Sequence, residues 1–140
     1  MRNWLFLLLP LLFLLFALRC SSVSEEDSGK ELEGMWRLNG YTIDPGDGSG
    51  MFKEVESDKL IYFYSDRSFI ANTKMCFAQD ERANITEGKY DPVAGILQAR
   101  GCNGKEFNQL NYSIEGEYLY VYYVCREGCV ERFQREPDYE

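Results

Sequence analysis

The sequence predicts an all-β domain, specifically an eight-stranded antiparallel up-and-down barrel. Two observations carry this reading. From Gly34 onward, β-branched and aromatic residues recur at alternate positions, and helical periodicity is absent. Clusters of Gly, Pro, Asp, Asn and Ser also punctuate the chain at short intervals. Eight short strands joined in series close most simply as a barrel, because closure removes exposed sheet edges. A sandwich is the competing arrangement. It favours long cross-over connections, and only residues 44–58 offer one.

The first strand is expected at residues 35–43. A glycine-rich connection follows, Asp44-Pro45-Gly46-Asp47-Gly48-Ser49-Gly50, and runs on to Asp58. The second strand covers 59–64 and turns at Ser65-Asp66-Arg67 into the third, 68–78. A loop at 79–83 leads to the fourth, 84–90, which turns at Asp91-Pro92 into the fifth, 93–99. Gly101, Cys102, Asn103 and Gly104 lie in the next loop, before the sixth strand at 106–114. Glu115-Gly116 turns into the seventh, 117–125, and Arg126-Glu127-Gly128 into the eighth, 129–134. With the first strand running upward, the lower connections at 65–67, 91–92 and 115–116 are all tight. The upper end carries the longer ones, so one end is loop-rich and the other closed.

The N-terminus supplies an address. Arg2 precedes an apolar run from Trp4 to Leu18, broken by Pro10, and Arg19-Cys20-Ser21-Ser22 follows. A charged start, a short apolar core and small residues after it mark an export signal, too short for a spanning helix. The junction resembles a bacterial lipoprotein lipobox. Ala17 and Arg19 stand where the usual box has Leu and a small residue. The resemblance implies lipid attachment at Cys20; ordinary cleavage near Ser22 or Ser24 is the other reading. Residues 1–20 are thus expected as a signal peptide, 21–32 as a polar tether and 33–136 as the folded domain. The localisation expected is an exported, membrane-anchored lipoprotein of the outer membrane or cell surface, and otherwise a periplasmic or secreted protein.

The chain carries a net charge of −8. Loss of Arg2 and Arg19 with the signal leaves 13 Lys and Arg against 23 Asp and Glu, a net −10. That excludes nucleic acid as an expected partner, because phosphate recognition needs a basic face. There is no histidine, which removes the usual general base, the nucleophile–histidine pairs and the commonest metal ligand. No carboxylate pair stands out at a strand end, and Glu87 and Glu106 read as ordinary exposed positions. Neither an enzyme nor a cofactor is expected.

Beyond Cys20 the cysteines are Cys76, Cys102, Cys125 and Cys129, all at the loop-rich end. In an exported chain four cysteines point to two disulfides. A four-cysteine metal site is the alternative, supported only by the close spacing of Cys125 and Cys129. The pairings 76–102 and 125–129 are easiest, although four cysteines allow three connectivities. The sequons Asn84-Ile85-Thr86 and Asn111-Tyr112-Ser113 read as chance matches. The acidic loop with Asp44, Asp47, Glu54, Glu56 and Asp58 lacks the spacing of a calcium-binding EF-hand and reads as a lid over the open end.

Gly34-Met35-Trp36 opens the first strand, and together with the strand order it resembles the Gly-x-Trp motif of lipocalins and small bacterial lipocalin-like domains. Ile61-x-Phe63-x-x-Asp66-x-x-Phe69 and Tyr112-x-Ile114-x-Gly116-x-x-Leu119-x-Val121 are similar to hairpins of those bacterial domains. The resemblance covers residues 31–136. It implies that Gly34 and Trp36 plug the closed end and that a late arginine packs over the tryptophan, Arg135 first and Arg132 second. The helix that usually follows the barrel is not expected here, since Glu136 to Glu140 are too few to form it; the domain is short and the cysteine pattern is its own.

Alternation from Trp36 directs Leu38, Ile61, Phe63, Phe69, Tyr112, Leu119, Val121 and Tyr123 inward, along with Ile114. These side chains line an apolar pocket for a small hydrophobic ligand, or they form plain core. Tyr118, Tyr120 and Tyr122 then make an outward stripe, with Tyr62 and Tyr64 similar on the second strand. Such a stripe is a partner-binding face or half-exposed cross-strand packing. The leading expectation is a hydrophobic ligand at the open end. The alternative is a protein-binding surface module, an inhibitor or adhesin, with a packed barrel.

Overall fold

The computed structural model describes residues 29–43, 50–102, 106–125 and 128–137. The expected signal peptide, the lipid site Cys20, most of the tether and the acidic positions Asp44 and Asp47 lie outside the described residues. The strands are β1 (Gly34–Ile43), β2 (Lys53–Glu54), β3 (Leu60–Phe63), β4 (Ser68–Thr73), β5 (Ala83–Asp91), β6 (Ile96–Arg100), β7 (Phe107–Glu115), β8 (Tyr118–Tyr123) and β9 (Cys129–Arg135). Each pairs antiparallel with the next around the series β1, β3, β4 to β9, and β9 pairs back on β1. The result is a closed eight-stranded antiparallel barrel with β2 outside the ring.

The tight turns follow from local side-chain chemistry. Asp66 accepts hydrogen bonds from the Ser68 amide at 3.0 Å and the Ser68 hydroxyl at 2.5 Å, which lets Arg67 sit at φ 66°. Asp91 accepts from the amides of Val93 and Ala94 at 2.9 and 3.0 Å, and Gly95 takes the positive φ that follows.

Three expectations are corrected. The third predicted strand ends at Thr73 rather than residue 78; the chain leaves the sheet there, and Met75 drives its side chain into the core. The long 44–58 connection contains a further short strand, β2, held to β1 through Gly40–Glu54 and Tyr41–Lys53. Leu32, at the end of the expected tether, is a core residue: the Trp36 indole N–H donates to its carbonyl at 2.8 Å. Burying Leu32 and satisfying the indole together hold the chain against the barrel ahead of β1.

The barrel floor is aromatic. Trp36, Phe63, Phe69, Tyr90 and Phe133 are buried together, with Phe63 packed on Phe69 at 5.5 Å and edge-on to Tyr90 at 5.4 Å. Gly88 faces Phe69 across the β4–β5 ladder, and a Cβ there would overlap the Phe69 ring and the Gln98 carbonyl. The missing side chain is what lets the ring lie flat in the wall. Below, the Arg135 guanidinium sits 4.4 Å from the Trp36 ring and donates to the carbonyls of Glu31 and Glu33. Arg132, the second candidate for that place, points to the outside instead.

Candidate functional site

Every residue expected to line a ligand pocket has been placed. Leu38, Ile61, Phe63, Phe69, Leu119, Val121 and Tyr123 are buried in one contiguous cluster, and Tyr112 packs half-buried against it. The interior is therefore filled by side chains over the lower and middle barrel.

Toward the loop-rich end the filling is ionic. Lys59 precedes β3 and Glu131 lies on β9, and both side chains are completely buried. The Lys59 ammonium donates to both Glu131 oxygens at 2.9 and 2.8 Å. Glu131 also accepts from the Tyr123 hydroxyl at 2.8 Å and from the Gln79 amide at 2.6 Å. The carboxylate is thus satisfied by four donor contacts, as a charge removed from water must be. Burial and the adjacent Glu131 charge push the Tyr123 phenol well above its ordinary range. The Gln79 contact also ties the 74–82 segment over the barrel mouth. Nearby, the Arg82 guanidinium grips Asp80 at 2.7 and 2.5 Å and holds its carboxyl below the usual range. The cluster uses its hydrogen-bonding capacity on itself and offers no open face to a substrate.

Two disulfides, Cys76–Cys102 and Cys125–Cys129, pin this end. The first joins the 74–82 segment to the end of β6, and the second closes the β8–β9 turn. Disulfide bonding fits an oxidising, extracytoplasmic setting. Among the described residues no group of three or more His, Cys, Asp or Glu is placed to hold a metal ion.

The outer wall is different. Alternation on β8 turns Tyr118, Tyr120 and Tyr122 outward, with Tyr122 exposed and the other two half-buried. Arg132 on β9 lies among them, its guanidinium 4.8 Å from the Tyr118 ring and 5.3 Å from the Phe52 ring. Phe52 meets Tyr120 edge-on at 5.7 Å, and the Tyr122 and Ser113 hydroxyls are 3.0 Å apart. Arg132 donates to Asn39 at 3.0 Å, and Asn39 donates to Gln134 at 3.1 Å. The Arg132 guanidinium also lies 3.8 Å from the Glu54 carboxylate. A groove of about 460 Å³ runs between Tyr118, Arg132 and the 54–56 segment. Tyr62 on β3 and Tyr64 just after it form a separate pair, with ring centroids 4.6 Å apart.

Sequence reasoning missed Lys59 and Glu131, and considered Arg132 only as a cover for Trp36, not for the outer wall. Lys59 and Glu131 are 72 positions apart, one just before β3 and the other within β9, with no local motif to link them. The available signal was parity: counting back by two from Ile61, and from Phe133, places both charges on the inward face.

The chain matches no protein-family model, and no curated protein or solved structure is significantly similar to it.

Proposed function

We propose that this protein is an exported, lipid-anchored, lipocalin-like barrel that recognises a protein partner through its outer wall. The observation that carries the reading is the contrast between the two faces. The interior is occupied by packed aromatics and a self-satisfied ion pair, whereas the wall carries an open array of Tyr, Phe and Arg. Those residue types supply most of the binding energy where proteins meet, because they bury large areas at low entropic cost. A hydrophobic ligand inside would have to displace Met75 or the aromatic floor. Cys20 supplies the anchor in this reading, and the disulfides suit the compartment.

The test places a photoreactive benzoylphenylalanine at position 120 in the protein on its native membrane. A covalent protein adduct, lost when Tyr118 and Arg132 are replaced by alanine, supports the proposal. Native mass spectrometry of the purified domain is the counter-test: a stoichiometric small hydrophobic molecule, released on denaturation, with no adduct at position 120, overturns it. Cys20→Ser should free the protein from the membrane fraction; retention of that variant rejects the anchor.

A further inference from the structure

We infer that the wall beside β2 receives an extended lysine- or arginine-rich segment of the partner, laid along residues 54–58; the inference rests on the outer-wall reading above. Residues 54–58 continue beside β1, the Val55 amide donating to the Asn39 carbonyl at 3.1 Å. Exposure alternates along this segment: Glu54, Glu56 and Asp58 point to solvent, while Val55 and Ser57 turn toward the barrel. The three carboxylates therefore recur every second residue, about 6.6 Å apart. That is the repeat of side chains on one face of a partner strand. Among the described residues no strand pairs with the other edge of β2, so main-chain hydrogen bonding to an added strand is open at Lys53–Glu54; farther along, the Ser57 and Asp58 carbonyls already accept from Arg37 and Asn72, and recognition there falls to the side chains.

Space and charge agree with this placement. Three grooves adjoin along the segment. The first shares Asn39, Val55 and Glu56 with the second, and the second shares Glu56, Ser57 and Asp58 with the third. The third also contains Glu81 and Thr73; the Thr73 residue is only 6% exposed, and its hydroxyl has no hydrogen-bond partner. Thr73 shares the inward parity of Phe69 and Ala71, so its hydroxyl belongs to the barrel interior, and Glu81 is what adds to the acidity of this groove. The cations of this face are already engaged. Arg132 is stacked between Tyr118 and Phe52, Arg37 binds Glu136 at 2.6 Å, and Lys53 lies 5.9 Å above the Tyr41 ring. Glu54 and Asp58 touch Arg132 and Arg37 only at 3.8 Å, with side chains 88% and 110% exposed, and Glu56 has no ion pair among the described residues. The chain's net charge of −8 draws a basic segment to this surface.

The test uses two fluorescent peptides of identical composition, one alternating lysine and threonine, the other with its lysines in a single block. Fluorescence anisotropy with the intact domain should show the alternating peptide binding about tenfold tighter, with affinity falling as salt rises. Replacing Glu56→Gln and Asp58→Asn together should abolish the difference. Glu87→Gln with Glu106→Gln, which removes the same charge at exposed positions that line none of the three grooves, should leave it intact. Equal binding of the two peptides, or equal loss in both double variants, overturns the inference, because the attraction is then only net charge. If neither peptide binds while position 120 still forms a protein adduct, the basic-segment inference falls and the outer-wall reading stands. If the adduct is also absent, both fall.

Discussion

Replacing Glu131 by leucine should damage the fold more than replacing Glu131 and Lys59 together. Glu131→Leu strands the Lys59 ammonium inside the barrel, and breaking a buried pair from one side costs about 3–5 kcal/mol. It also orphans the Gln79 amide and the Tyr123 hydroxyl, at about 1–3 kcal/mol each. The total, about 5–11 kcal/mol, is comparable to the whole stability of a domain, about 5–15 kcal/mol. Lys59→Met with Glu131→Leu removes both charges and leaves only the two orphaned donors, about 2–6 kcal/mol. Glu131→Gln keeps one oxygen, for the Gln79 amide, and turns its new NH2 toward the Tyr123 hydroxyl, which can accept, while stranding the ammonium, so it should fall near the one-sided cost alone. Equilibrium urea unfolding with the disulfides intact reads these differences as shifts in midpoint at constant slope. A double variant as unstable as Glu131→Leu would refute the argument, because the two side chains would then not be coupled.

Gly88→Ala should destabilise by about 1–3 kcal/mol, since its Cβ has no room beside Phe69 and Gln98, and adding Phe69→Leu should recover part of that loss; an unchanged midpoint would show that the wall yields freely. Trp36→Ala should cost about 3–5 kcal/mol, and Arg135→Met less, about 1 kcal/mol, because the guanidinium covers the indole from outside; thermal unfolding of both gives the order, and equal losses would deny the plug its role. Burial raises Tyr90, pushes Tyr112 up to about 12, and, with Glu131 adjacent, lifts Tyr123 well above the ordinary value of 10. These phenols stay protonated in the folded state while the unfolded chain ionises near pH 10, so stability is intact below that pH and falls as the pH rises from there through the folded values. Absorbance at 295 nm should show them ionising together with unfolding; smooth titration of all 10 tyrosines near their ordinary value would contradict their burial.

On the strands where aromatic and aliphatic residues alternate with polar ones or tyrosines, the inward face was legible from alternation alone. Tyr118 to Tyr123 reads outward and inward by turns, and the structure places Leu119, Val121 and Tyr123 in the core and Tyr122 in solvent. The 74–78 segment was not legible as a loop. Lys74-Met75-Cys76-Phe77-Ala78 has the composition of a continuing strand, and what turns it inward is Met75 filling the barrel mouth and Cys76 reaching Cys102. Both are contacts between segments far apart in the chain, which local pattern does not encode.

The sequence by itself determined the eight strands of the ring, their antiparallel series, the closed and loop-rich ends and part of the inward set of residues. It did so because strand period and turn chemistry are local. Only the tertiary structure decided that Lys59 meets Glu131, that Arg135 rather than Arg132 covers Trp36, and that Arg132 instead joins Tyr118 and Phe52 on the outer wall. Those outcomes depend on ladder register and barrel closure, which bring β1 and β9 together from opposite ends of the domain. A shift of one residue in that register would exchange the two faces of β9 and, with them, the buried charge and the exposed one.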